Sequence, residues 1–324
     1  MLFQAGRFRR IAVLPELTSR SGRALARGTD DRPWFAGGDA GGGGGGLLLG
    51  SPGLNDAALQ VLQASTPDRR VWPAGCAGVR FSGVAASGPV EIRAAARDVR
   101  RALPVPAQGR GPLVGQTGAA ASGTGGVSGQ SWDVEAVDAA GRVLVTWRGV
   151  TLREAGLLPR DPAWPAALLP AYLERGAIRL GLDPDLRITA SGGSGLVLEA
   201  GGAPFAACGW VPADTAHPVW PGPGQAAAFS QLCGQLSEPP VASAARLRAA
   251  ACLAGPEAAG LAFGRAAADG WALLEAGRLR VATTVVQVEG LPWPIAIAVT
   301  TDRAGRERRL PGGSRVAGPP VSVV

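Results

Sequence analysis

Lysine is absent: all 32 basic residues are arginine, in a chain of 324 residues that also holds 49 glycines and 27 prolines. That bias, with abundant alanine, is the mark of a GC-rich coding sequence rather than of a binding surface. The formal net charge is +7, yet the arginines are scattered in small groups such as Arg69–Arg70, Arg100–Arg101 and Arg308–Arg309. A nucleic-acid binder gathers them in one stripe with aromatics interleaved, so no nucleic-acid partner is expected. Histidine is down to one, His217 in Ala-His-Pro, for which a loop position is expected. The cysteines (Cys76, Cys208, Cys233, Cys252) are far apart, and no CxxC or Cys/His pair offers zinc spacing. Reduced thiols in a cytoplasmic protein are the expectation. The first residues lack the apolar core of a signal peptide, and no run of about 18 apolar residues exists to span a membrane. Six glycines at 41–46 are followed by Leu47-Leu48-Leu49, not by the Lys-Ser/Thr that a phosphate cradle needs.

What is there is enough for two domains: 46% of the residues are hydrophobic. Strand-like patterns occur at Phe8–Leu17, Gly22–Ala26, Val71–Pro73, Gly78–Ser82 and Val90–Ala94. Residues 102–130 are rich in Pro, Gly, Ala and Ser and read as an excursion. Trp132–Ala136 and Arg142–Trp147 flank Asp138-Ala139-Ala140-Gly141, a hairpin signal, and Val150–Arg153 continues the second strand. One helix, 55–65, sits among these strands, so the layout is α+β with an antiparallel sheet around one helix, the pattern of a hot-dog fold. After 156–165 a second α+β unit begins. Helices are expected at Leu169–Leu182, Gln225–Leu236 and Ala242–Ala254, strands at Leu186–Ala190 and Leu196–Ala200, and a closing meander at Trp271–Glu275, Arg278–Val288 and Ile295–Thr300. Residues 303–324 read as a disordered tail.

The stretch richest in chemistry is Ser51-Pro52-Gly53-Leu54-Asn55-Asp56-Ala57-Ala58-Leu59-Gln60. A turn at Ser51–Gly53 feeds the helix, with Asn55 as its N-cap. Asp56 then lies in the first turn, and Gln60 one turn later on the same face. An acid beside an amide can donate or accept a proton at a tethered substrate. Spacing alone equally allows an ordinary helix-start aspartate favoured by the macrodipole.

These residues carry a resemblance. Leu2-Phe3-Gln4, the Ser51–Gln60 segment (similar to Pro-x-Leu-x-Asp-Ala-x-x-Gln), Pro73-Ala74-Gly75, and Asp133–Leu144 followed by Gly149–Arg153 occur in the order seen in one family. Residues 1–155 thus resemble the C-terminal hot-dog of the dehydratase domain of type I polyketide synthases. The resemblance implies a site built across two hot-dogs. A histidine of the first takes the α-proton of a 3-hydroxyacyl thioester; the aspartate of the second, here Asp56, protonates the departing hydroxyl; and Gln60 supports it. The family's His-x-x-x-Gly motif is absent from this sequence.

Residues 166–302 are similar to the phosphopantetheinyl-transferase-like domain that follows the dehydratase in enediyne-type iterative synthases. Leu169–Arg175, Ile188–Leu198, Ala206–Val211, Arg246–Leu253, Asp269–Leu274 and Arg280–Thr283 carry the likeness. Transfer from coenzyme A needs Mg²⁺ held by carboxylates. The resemblance places those ligands at Gly209, Val211 and Ala251, and a histidine at Gly192. Asp214 and Glu257 are the substitutes within reach of the same chemistry. The expectation is therefore a polyketide-synthase-derived chain with a partial dehydratase site, inactive alone, and a degenerate transferase-like domain. Its substrate would be an acyl-phosphopantetheine thioester, its partner an acyl carrier protein or the rest of a synthase. Mg²⁺ and coenzyme A enter only if the transferase is active with relocated ligands. A carrier-docking or decayed, non-catalytic module is the other alternative, and a free sheet edge makes a homodimer an expectation.

Overall fold

In the computed structural model, residues 8–28, 50–86, 88–97, 127–157, 163–191, 196–213, 223–267 and 269–302 are described. They fall into two units, one of Met1–Glu16 and Arg20–Leu158, the other of Leu17–Ser19 and Pro159–Val324. The expectations for Leu2–Gln4, the glycines at 41–46, Gly192, Asp214, His217, residues 102–126 and the tail 303–324 lie outside the described residues.

The first unit runs β1 (Ile11–Leu17), β2 (Ser21–Ala26), α1 (Pro52–Ala64), β3 (Arg69–Gly75), β4 (Gly78–Phe81), β5 (Val90–Arg97), β6 (Val127–Asp138) and β7 (Val143–Leu157). Its sheet has the order β1-β2-β5-β6-β7-β3, and β4 also pairs with β7. From β2 onward the pairings are antiparallel. β3 and β4 occupy successive stretches of one side of β7, Thr151–Leu157 and Val145–Arg148. Register shifts interrupt the β6–β7 and β3–β7 ladders, and Gly149 has φ 61°. Such irregularities bend strands, and the sheet curls over α1. An antiparallel sheet curled over one helix is the layout that the sequence pattern leads one to expect.

Helix α1 follows from its apolar spacing. Leu54, Ala57, Ala58, Val61 and Leu62 recur at i, i+3, i+4, i+7 and i+8, and all are buried against Ile92, Trp132, Val134 and Leu152. Leu62 is wholly buried, so Leu62→Ala costs about 2–5 kcal/mol. The β6–β7 hairpin turns where expected. Asp138 Oδ1 accepts from the backbone N–H of Ala140 (3.0 Å) and Arg142 (2.9 Å), and Gly141 takes φ 78°. Strand β6 begins at Val127, earlier than the expected excursion allowed.

The second unit contains α2 (Leu169–Arg179), β8 (Arg187–Ser191), β9 (Val197–Gly201), β10 (Ala207–Pro212), α3 (Ala226–Leu236), α4 (Pro240–Ala254), β11 (Ala262–Ala266), β12 (Trp271–Ala276), β13 (Leu279–Val286) and β14 (Ile295–Thr300). A five-stranded sheet has the order β10-β14-β13-β12-β11, and β8 and β9 form a separate pair. The closing meander is present, flanked by two strands that pattern reading did not find, β10 and β11. Alanines line the buried side of α4 (Ala245, Ala249, Ala250, Ala254) and pack with Ala272, Ala296 and Ala298 of the sheet. Small side chains let helix and sheet approach closely. Gly176 does the same inside α2: a Cβ there would stand 2.0 Å from the Trp271 ring. Among the described residues no helix is long and apolar enough to cross a membrane.

Candidate functional site

The structure moves the start of α1. The helix begins at Pro52 with Ser51 as N-cap, not at Asn55. Proline suits the first helical position, where no N–H is needed and φ is already set. The Ser51 carbonyl accepts from the N–H of Leu54 (3.1 Å) and Asn55 (3.0 Å), closing the first turn. Asp56 therefore belongs to the second turn, and the first turn holds no acid. A macrodipole role for Asp56 loses its main support, because that effect fades within one turn.

Asp56 and Gln60 do come together. Gln60 Nε2 donates to Asp56 Oδ2 at 2.5 Å and to the Phe8 carbonyl at 3.2 Å. Gln60 is only 2% exposed, so its amide is held from both sides. Asp56 is half-buried, and burial raises its carboxyl above the ordinary 3.8, partly offset by the Gln60 hydrogen bond. The arrangement is that of a carboxyl group whose proton affinity is raised by burial and whose orientation is set by an amide, a geometry compatible with general acid work. Phe8 escaped sequence reasoning: its carbonyl reaches Gln60 across 52 positions, and a backbone acceptor leaves no mark in side-chain pattern.

The transferase-like positions in the second unit are a contrast. Gly209 and Val211 lie on β10, Ala251 lies on α4, and a Cβ at Gly209 would touch Leu253 of α4 at 3.8 Å. Strand and helix pack together where the resemblance puts a metal, but hydrogen, isopropyl and methyl groups offer no donor to Mg²⁺. The residues do not fit that ion. Among the described residues no group of three or more His, Cys, Asp or Glu is placed to hold a metal. Neighbouring Cys208 has its thiol pushed up to about 12 by burial and the charge of Glu199, which disfavours the thiolate form a nucleophile needs.

One carboxylate in this unit has a structural duty. Glu174 is fully buried on α2. Its Oε2 accepts from the N–H and the hydroxyl of Ser19, which groups with this unit, at 2.8 and 2.7 Å, and its Oε1 from the N–H of Ile188 at 2.8 Å.

No protein-family model matches the chain, and no curated protein matches it. Among solved structures it is similar to AziG of S. sahachiroi, at 17% identity, over 45% of this chain and 91% of that one, with a TM-score of 0.26. It is also similar to GphF dehydratase 1, at 16% identity over 48% of this chain and 46% of that one, TM-score 0.28. A GphF dehydratase variant made for improved crystallization matches at 16% identity over 48% and 45%, TM-score 0.29. The chain spans less than half the length of both GphF structures. Likenesses this distant assign no activity.

Proposed function

We propose that the first unit presents the acid half of a 3-hydroxyacyl-thioester dehydratase site, with Asp56 as the acid and Gln60 as its support. The observation that carries this reading is the half-buried Asp56 carboxyl, raised by burial and gripped by Gln60 at 2.5 Å. In the reaction a base removes the α-proton, the β C–O bond breaks, and the Asp56 proton goes to the leaving hydroxyl, which departs as water. The double bond forms between the α and β carbons. The base is a histidine of a companion hot-dog; this sequence carries one histidine, His217. The thioester would arrive as an acyl-phosphopantetheine on a carrier protein. The second unit is a transferase relative without transferase chemistry, since its ligand positions carry no donors.

The test mixes the chain with a His-bearing dehydratase half and a 3-hydroxyacyl-pantetheine thioester, and follows enoyl thioester formation. Asp56→Asn should lower the rate at least about 100-fold. An unchanged rate would overturn the assignment.

A further inference from the structure

Charge is balanced over part of the outward face of the first sheet. Over β2, β5, β6 and the near end of β7, arginines are matched by carboxylates. Arg23 and Arg93 meet Glu91, Arg97 meets Asp133, and Arg148 meets both Asp133 and Glu135. On β3 and the far end of β7 the pattern stops. Arg70, Trp72 and Arg153 are exposed, Trp72 to 50%, and neither arginine has an ion pair among the described residues. Register puts Trp72 directly opposite Arg153, and Arg70 lies two residues before Trp72, with buried Val71 pointing the other way. The nearest acids in sequence, Asp68 and Glu154, are engaged by Arg69, and Glu154 lies opposite inward-facing Val71. The result is an aromatic ring flanked by two uncompensated cations, the residue types that dominate protein interfaces.

We propose that Arg70, Trp72 and Arg153 form a docking surface for the acidic helical surface of a carrier protein. Choice of that partner rests on the dehydratase reading; the surface itself rests on charge. Complementarity favours an acidic protein over a second copy of this +7 chain. The edge of β3 also resists strand addition. Pro73 removes an N–H from it, and Arg69 and Arg70 place charge on it, two devices that discourage strand pairing. The partner therefore meets the face of the strand, not its edge.

The experiment measures binding of the full chain to a bacterial holo-acyl carrier protein by biolayer interferometry, with a duplex DNA oligonucleotide as a second probe. Trp72→Ala should weaken carrier binding at least about tenfold. Arg70→Glu with Arg153→Glu should abolish it, and salt should weaken the wild-type complex. Circular dichroism checks the fold of each variant, and Arg23→Ala, on the ion-paired part of the face, should bind as the wild type does; the rate of Asp56→Asn is read in the separate turnover assay, which separates docking from the dehydratase assignment. Carrier binding that is absent, or indifferent to the double charge reversal, overturns the proposal. So does tighter binding of the duplex through the same three residues.

Discussion

Two places in this molecule correspond to chemistry in the families that the sequence resembles, and they have fared differently. On α1 the pair that the resemblance implies is present and joined: Asp56 and Gln60 sit one turn apart, bonded at 2.5 Å and backed by the Phe8 carbonyl. On β10 and α4 the scaffold is packed, yet Gly209, Val211 and Ala251 leave it without a donor. Packing does not by itself supply chemistry, because packing depends on volume and apolar area, whereas chemistry depends on a few atoms. The contrast can be broken or sharpened by measurement.

The largest effect should come from swapping reagents between the two places. With coenzyme A, Mg²⁺ and apo carrier protein, the chain should yield no phosphopantetheinylated product by mass spectrometry. Product formation would show that ligands elsewhere, such as Glu257, serve the metal, and the contrast would collapse. Next is the support of the acid. Gln60→Leu removes a hydrogen bond that holds the Asp56 carboxyl down, so the alkaline limb of the pH–rate profile of the reconstituted dehydratase, where the general acid loses its proton, should move to higher pH. A limb that stays in place would make Gln60 a packing residue only.

Stability follows. Glu174→Gln puts an amide N–H against donors that now meet a carboxylate, Ser19 or Ile188. It should lower stability by about 1–3 kcal/mol in urea unfolding, whereas Gly209→Ala, which gains only an ordinary contact with Leu253, should change little. Equal effects would show that the empty position is as constrained as the buried acid. The smallest effect is at Asp56 itself. Its folded carboxyl titrates above the unfolded value of 3.8, so between the two the folded chain holds a proton that the unfolded chain has lost. Its contribution to stability then falls as pH rises through that window. Asp56→Asn should leave the Tm at pH 7 equal to or slightly above that of the wild type; a clear drop would mark Asp56 as a structural residue.

How much of this was legible follows from the physics of each element. The interior of α1 was readable because five apolar residues repeat at helical spacing, and the β6–β7 hairpin because Asp138 and Gly141 supply turn chemistry in adjacent positions. The start of α1 was misread: Ser51-Pro52-Gly53 looks like a turn, and only the Ser51 carbonyl bonds show that the turn is already helix. That three-residue error also put Asp56 in the wrong turn. Strand β10 was hidden because Ala207-Cys208-Gly209 lacks β-branched residues, and pairing with β14 decides it. The pair Asp56–Gln60 could be read from spacing, but the Phe8 carbonyl that fixes Gln60 could not, nor could the outward cluster of Arg70, Trp72 and Arg153, which depends on the register of β3 against β7.

The central claim is that Asp56 is an acid tuned by its site rather than a surface carboxylate. A ¹³C NMR titration of its side chain, assigned by comparison with Asp56→Asn, tests that without a companion protein or substrate. The account predicts a midpoint above 3.8 that rises further in Gln60→Leu. A midpoint at or below 3.8, unmoved by Gln60→Leu, would contradict it.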